Sequence, residues 1–257
     1  MKIELAARTD KGRKRMKNED RAIAHALGTG GKTVYLLAVA DGVGGLPSGD
    51  TASLLAVSAL SDSETRFDGD PQRCLKASFE RAHANIALRA DTDPQSEGMA
   101  TTLVAALLAD RSLWIANVGD SRAYLIRRGE IIQITQDHSL VADRVRAGLI
   151  SEDQAASSPH RSVITRSLGS DGTPDVDIFG CGELESGDSV LLCSDGLYTM
   201  VPPTEIADCV SSLKPAAAAR ELISRANESG GTDNIAVAIA RVVSSEYAPA
   251  SENNNAH

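Results

Sequence analysis

Short apolar runs that stop on a carboxylate set the rhythm of this chain. Leu37-Ala38-Val39-Ala40 ends on Asp41, and Gly42-Val43-Gly44-Gly45 follows at once. Buried strands read as such runs closed by turn residues, so Asp41 belongs where a core strand meets solvent. The grammar returns three times. Trp114-Ile115-Ala116-Asn117-Val118-Gly119 leads to Asp120-Ser121, Val190-Leu191-Leu192-Cys193-Ser194 to Asp195-Gly196, and Gly230-Gly231-Thr232 to Asp233-Asn234 with a strand after it. One Asp-Gly after a strand is ordinarily a turn. Four carboxylates at strand ends, far apart in sequence, point instead to a convergent site for a hard cation. Glycines beside them lack a Cβ and let backbone come close to a bound ion or phosphate.

Between these marks the pattern predicts a sheet-rich chain. Residues 3–8 read as an edge strand, and 21–27 with 33–40 as a hairpin around Gly28-Thr29-Gly30-Gly31. Ser48-Gly49-Asp50 opens a helix over 51–60. Pro71 starts another, in which Leu75, Phe79, Ala82 and Ile86 form one apolar stripe. His83 lies beside that stripe and reads as a packed or surface residue. Strands follow over 103–109, 112–118, 122–126 and 130–134, with the short connections of an antiparallel sheet. Residues 139–160 turn polar, helical and irregular, and His138 reads as a helix-start residue. A strand over 189–194, helices near 203–211 and 215–228, and a strand over 234–243 finish the pattern. The long helices come in pairs rather than alternating with strands, which predicts an α+β layered fold. No internal repeat or linker divides the chain. The tail from Ser244, with Asn253-Asn254-Asn255, has the composition of a disordered segment.

Composition narrows the function. The 257 residues are 42% hydrophobic and 24% charged, ordinary for a soluble globular protein, and the net charge of −9 argues against a nucleic-acid groove. The basic cluster Lys11, Arg13, Lys14, Arg15 and Lys17 is a local exception. No signal-like apolar region opens the chain and no apolar run reaches membrane-span length, so a cytoplasmic location is expected. Cys74, Cys181, Cys193 and Cys209 form no C-x-x-C pair, which argues for reduced thiols and against zinc. Arg81 falls one residue too late after Cys74 for a cysteine-phosphatase loop. Asp175-Val176-Asp177-Ile178 mimics an aspartyl-phosphate motif, but it follows Gly172-Thr173-Pro174 rather than an apolar strand.

Six motifs occur in order: Arg15-x-x-Asn18-Glu19-Asp20, Asp41-Gly42-x-Gly44-Gly45, Gly98-x-x-Thr101-Thr102, Asn117-Val118-Gly119-Asp120-Ser121-Arg122, Ser194-Asp195-Gly196-Leu197 and Gly231-x-Asp233-Asn234. Together they resemble the metal-dependent serine/threonine protein phosphatases of type 2C, the PPM family, in its stand-alone bacterial form. The resemblance implies a four-layer α-β-β-α sandwich: two mostly antiparallel sheets flanked by helix pairs, in a single catalytic domain over residues 1–243. It also implies a Mn²⁺ or Mg²⁺ centre with two tight sites and a third, weaker one. Asp41, Asp195 and Asp233 match the direct metal ligands, with the Gly42 carbonyl, and Asp120 the ligand of the third ion. Glu19 and Asp20 match the acidic pair behind the metals. Arg15 matches the arginine that grips the substrate phosphate. Residues 139–168 match a flap bordering the cleft, including the Ile164-Thr165-Arg166 run and Arg161, the latter expected to bind substrate. The departures are Val43 and Leu46, where relatives carry histidine, Ser158 and Ser162 where histidine and asparagine are common, and Ala100 for a usual glycine.

Oxygen donors without histidine or thiolate suit Mg²⁺ and Mn²⁺. Two such ions about 3.5–4 Å apart activate a bridging hydroxide for in-line attack at phosphorus. With histidine missing at 43 and 46, water on the ion held by Asp120 is the expected proton donor to the leaving oxygen. The expected activity is hydrolysis of phosphoserine and phosphothreonine in proteins, by a monomer opposing a serine/threonine kinase. Two rivals stay open: a non-catalytic phosphoprotein-binding module on the same fold, and a phosphatase for small phosphoesters.

Overall fold

The computed structural model describes residues 1–29, 32–44, 48–61 and 69–244. Gly30 and Gly31 of the expected hairpin turn, Gly45 and Leu46 after the Asp-Gly motif, and the tail from 245 lie outside these residues. The chain runs β1 (Lys2–Asp10), β2 (Asp20–Thr29), β3 (Lys32–Asp41), α1 (Gly49–Ser61) and α2 (Pro71–Thr92). Then come β4 (Leu103–Ala109), β5 (Ser112–Val118), β6 (Arg122–Arg127), β7 (Glu130–Gln133), α3 (Leu140–Arg146) and α4 (Glu152–Ala156). The last part is β8 (Asp177–Glu183), β9 (Ser189–Cys193), α5 (Asp195–Tyr198), α6 (Pro203–Ser212), α7 (Pro215–Glu228) and β10 (Ile235–Ser244).

The strands form two five-stranded sheets, β1-β10-β9-β6-β7 and β2-β3-β4-β5-β8. Every pairing between these strands is antiparallel. Three apolar layers explain the stacking. Leu37, Val39, Val104, Ala106, Leu192, Ala236 and Ala238 fill the space between the sheets. Leu36, Ala38 and Leu103 face the other way, onto Phe79 and Ile86 of α2 and Ala56 of α1. Leu191, Ile235 and Val237 face Ile206 of α6 and Leu222 of α7. Because both faces of β3, β4, β9 and β10 are buried, these strands are continuous apolar runs rather than alternating ones.

Local signals set the helix starts. Asp70 caps α2 by accepting from the Arg73 N–H at 3.1 Å, with Pro71 in the first turn. The expected stripe of Leu75, Phe79, Ala82 and Ile86 is fully buried against the sheet. The pattern missed β8, an edge strand that pairs only with β5 and carries two glycines. Gly180 lies against the Trp114 ring, where a Cβ would come within 3.3 Å, so tertiary contact rather than propensity makes this segment a strand. Ser244, read as the start of the tail, is the last residue of β10. Phe79→Ala, which empties the contact of α2 with the sheet, should lower unfolding free energy by about 3–5 kcal/mol in urea titrations.

Candidate metal and phosphate site

The four carboxylates of the strand-end pattern meet in one cleft. Asp41, Asp120, Asp195 and Asp233 line it with Arg15, Glu19, Gly42, Gly44, Thr102 and Asn234. Asp41 ends β3 and is held by two threonines. Its N–H donates to Thr102 Oγ1 at 3.0 Å, and its carbonyl accepts from Thr102 N at 2.9 Å and Thr101 Oγ1 at 2.8 Å. Thr102 Oγ1 also meets Ser121 Oγ at 2.8 Å, which ties the Asp120 turn to the same point. Gly119, at φ +109°, opens that turn, and a Cβ there would lie 2.5 Å from Thr102 Cβ. Gly42 has no room for a side chain either, because a Cβ would come within 2.4 Å of the Gly49 carbonyl oxygen.

Asp20 sits opposite Asp41 in the β2–β3 pairing and is fully buried. Its Oδ2 accepts from Ser194 Oγ at 2.7 Å, and the same Oγ accepts from Ala236 N at 2.9 Å. Ser194 therefore joins the two sheets directly beneath Asp195, a role the pattern had not marked. Asp233 accepts from Asn234 N on Oδ1 at 2.8 Å and from Arg15 Nη2 on Oδ2 at 2.7 Å. Arg15 is the cation among the cleft-lining residues, and its guanidinium lies over Gly44. In the flap, Ser162 and Ile164 line the cleft, whereas Arg161 is exposed and is not among the lining residues. Thr165 and Arg166 turn away: Thr165 N donates to the His138 carbonyl at 2.8 Å, and Arg166 pairs with Asp177 at 2.9 Å and Asp175 at 3.0 Å. His83 accepts from Gly169 N at 3.3 Å, a packing contact away from the cleft residues.

Burial, and after it the charge of neighbouring acids, raises the carboxyl pKa values of Asp20, Asp41, Asp120 and Asp195. Burial first, then the charges of Asp20, Asp195, Asp120 and Asp233, raises the Asp41 carboxyl well above its ordinary range. Burial also dominates at the others, lifting Asp195 to about 6, Asp120 to about 7 and Asp20 to about 8. Neighbouring acids add to each shift, and the Ser194 hydrogen bond partly opposes it at Asp20. Among the described residues, no three acid, histidine or cysteine side chains close into a ready ligand cage. The buried Oδ1 atoms of Asp20 and Asp195 find no hydrogen-bond partner among the described residues. Carboxylate oxygens in a cleft whose described lining has no histidine or thiol fit a hard divalent cation, which would compete with protons for the acids whose pKa is raised.

The protein phosphatase 2C family model matches residues 7–144. The serine/threonine phosphatase Stp of Listeria welshimeri is 39% identical over 90% of this chain and 92% of its own length. The crystal structure of the Mycobacterium tuberculosis serine/threonine phosphatase PstP is 37% identical, with a TM-score of 0.82 over 93% of this chain and 98% of that one. A PstP catalytic domain in complex with two manganese ions is 36% identical, with a TM-score of 0.80 over 94% of this chain and 98% of that one. The family match, the relatives and the shared sandwich together make this chain a serine/threonine protein phosphatase, a hydrolase. The chain belongs to the protein phosphatase 2C family.

The raised carboxyl pKa values carry a pH signature. An acid whose pKa is higher folded than unfolded holds its proton more tightly in the native state, so its contribution to stability falls as pH rises. In metal-free protein that loss runs from about pH 4 up to about pH 8, through the values of Asp195, Asp120 and Asp20. Added Mn²⁺ should therefore raise the Tm of chelator-treated protein more at pH 8 than at pH 6, where protons must leave first. Equal increments would mean that the acids ionise at ordinary values.

Proposed function

We propose that residues 1–243 act as a single catalytic domain, a cytoplasmic monomer that hydrolyses phosphoserine and phosphothreonine in proteins and opposes a serine/threonine kinase. One observation carries this reading: Arg15 meets Asp41, Asp120, Asp195 and Asp233 in a single cleft. Asp41, Asp195 and Asp233, with the Gly42 carbonyl, would hold two Mn²⁺ or Mg²⁺ ions, and Asp120 a third, weaker one. Bound there, such ions would supply Lewis acidity and a water acidic enough to attack phosphorus at neutral pH. Among the described residues no helix is long and apolar enough to cross a membrane.

The chain's own groups do the rest. Glu19, which lines the cleft, and Asp20, whose Oδ1 has no partner among the described residues, would orient water beside the ligand row. Arg15 is partly exposed and its planar fork can exchange an Asp233 oxygen for two oxygens of a phosphate, a geometry lysine cannot reproduce. The missing side chain at Gly44 leaves room for the Arg15 guanidinium, and that at Gly42 for the Gly49 backbone. The exposed Arg161 would meet the substrate's polypeptide rather than its phosphate. A thiolate route has no support, because burial pushes all four cysteine thiols up, away from the nucleophilic form.

Phosphate release should require Mn²⁺ or Mg²⁺ and should favour phosphoserine or phosphothreonine peptides over sugar phosphates. Chelator should abolish it reversibly, and Asp233→Asn should abolish it with the fold intact by circular dichroism. A chelated protein at full rate, or a preference for sugar phosphates, would overturn the proposal. Arg15→Ala should cost about 2–4 kcal/mol in kcat/KM on phosphopeptides, the range for a lost charge-assisted clamp. Arg13→Ala, whose side chain lies over Gly231 instead, should cost far less. Equal losses at both positions would mean general attraction by the basic loop.

A further inference from the structure

We propose that Asn234 is the positioning residue for Arg15, its single side-chain amide fixing the loop that delivers the guanidinium to the substrate phosphate. Asn234 is 5% exposed, and all of its recorded side-chain hydrogen bonds go to one loop. Nδ2 donates to the Lys11 carbonyl at 2.9 Å and to the Lys17 carbonyl at 2.8 Å, while Oδ1 accepts from Glu19 N at 2.8 Å. The two donated bonds pinch together the ends of the segment 11–17, and Arg15 stands on the segment so closed. The neighbouring backbone continues the grip. The Gly231 carbonyl accepts from Arg13 N at 2.7 Å and Lys14 N at 3.2 Å, and Gly12 lies so near the Asp233 carbonyl that a Cβ would sit 2.1 Å from its oxygen.

Nothing apolar could do this work in place of the amide. Residues 13–17 are all exposed, and Met16, the one apolar side chain among them, is 90% exposed. With no packing to order it, the loop relies on hydrogen bonds for its shape. The same residue also aims the partner of Arg15, since Asn234 N donates to Asp233 Oδ1 at 2.8 Å while Arg15 holds Oδ2. An aspartate at 234 would match the shape but has no N–H to offer the two lysine carbonyls. Loss of the amide should leave Arg15 present but unplaced, so that each phosphate captured must first order the loop.

This inference rests on the phosphate-binding role proposed above for Arg15, and a double-mutant cycle separates the two. kcat and KM are measured on a phosphothreonine peptide at saturating Mn²⁺ for the wild type, Asn234→Ala, Arg15→Ala and the double variant. Asn234→Ala should lower kcat/KM about tenfold or more, mostly through KM, yet less than about threefold when Arg15 is already alanine. Amide hydrogen exchange at Arg13, Lys14 and Glu19 should quicken, while Mn²⁺ affinity by titration stays near that of the wild type. Equal losses in both backgrounds, or unchanged exchange, would overturn the proposal while leaving the Arg15 assignment standing. If Arg15→Ala alone costs nothing, that assignment fails and this proposal goes with it. Should Asn234→Ala not fold, Asn234→Asp runs through the same cycle with the same expectations. If both unfold, Asn234 is a folding determinant and the proposal falls.

Discussion

Carboxylates gathered in one cleft repel one another, and burial strips them of the water that would soften the repulsion. That cost shapes the rest of the molecule. It is borne by a frame that cannot relax: Asp41 sits between threonine bonds at the end of β3, and Ser194 bridges Asp20 to the backbone of Ala236. With protons or cations in the cleft the repulsion is relieved; without either, the frame alone opposes it. The acids are placed on strand ends and tight glycine turns, and the cleft-lining Arg15 comes in on a separate loop.

The frame owes its stiffness to three apolar layers. Two sheets packed on each other and covered outside by helices bury both faces of the central strands, so a strand end cannot shift without disturbing two cores at once. The flap is tied to the frame by a buried polar cluster. His138 Nδ1 accepts from Gly119 N at 3.1 Å, its Nε2 meets Asp177 at 3.1 Å, and its carbonyl accepts from Thr165 N at 2.8 Å. The turn that carries Asp120 thus shares one histidine with the flap segment at Thr165, next to the cleft-lining Ile164. A second cluster supports that turn from the other side. Arg122 pairs with Asp137 at 2.7 Å, lies 3.7 Å from the Tyr198 ring centroid, and the Tyr198 hydroxyl donates to the Asp120 carbonyl at 3.1 Å.

Much of this was legible along the chain because the relevant signals are local. A buried strand must be an apolar run, a helix must hide a stripe, and a carboxylate on a strand end must be followed by residues that let the backbone turn. Hence 33–40, 103–109, 112–118 and the stripe from Leu75 to Ile86 coincide with β3, β4, β5 and the buried face of α2. β8 escaped because its glycines and half-exposed face carry no periodic signal; only pairing with β5 makes it a strand. His138 was placed correctly, one residue before the Ser139 cap of α3, but its bonds to Gly119 and Asp177 span 19 and 39 residues.

By itself, then, the order of residues determined the layers and marked Asp41, Asp120, Asp195 and Asp233 as a set, because hydrophobic periodicity and turn chemistry act within a few residues. The family resemblance, rather than local pattern, marked Arg15 and Arg161 for substrate, and the tertiary structure places the two differently. Arg15 lines the cleft on a loop tied to Asn234, while the flap turns Ser162 and Ile164 toward the cleft and leaves Arg161 on the surface. Which atoms hold those segments is a matter of contacts between residues as far apart as Lys11 and Asn234, or Asp20 and Ser194. Such contacts leave no trace in local pattern, since either partner alone reads as an ordinary polar residue in a loop.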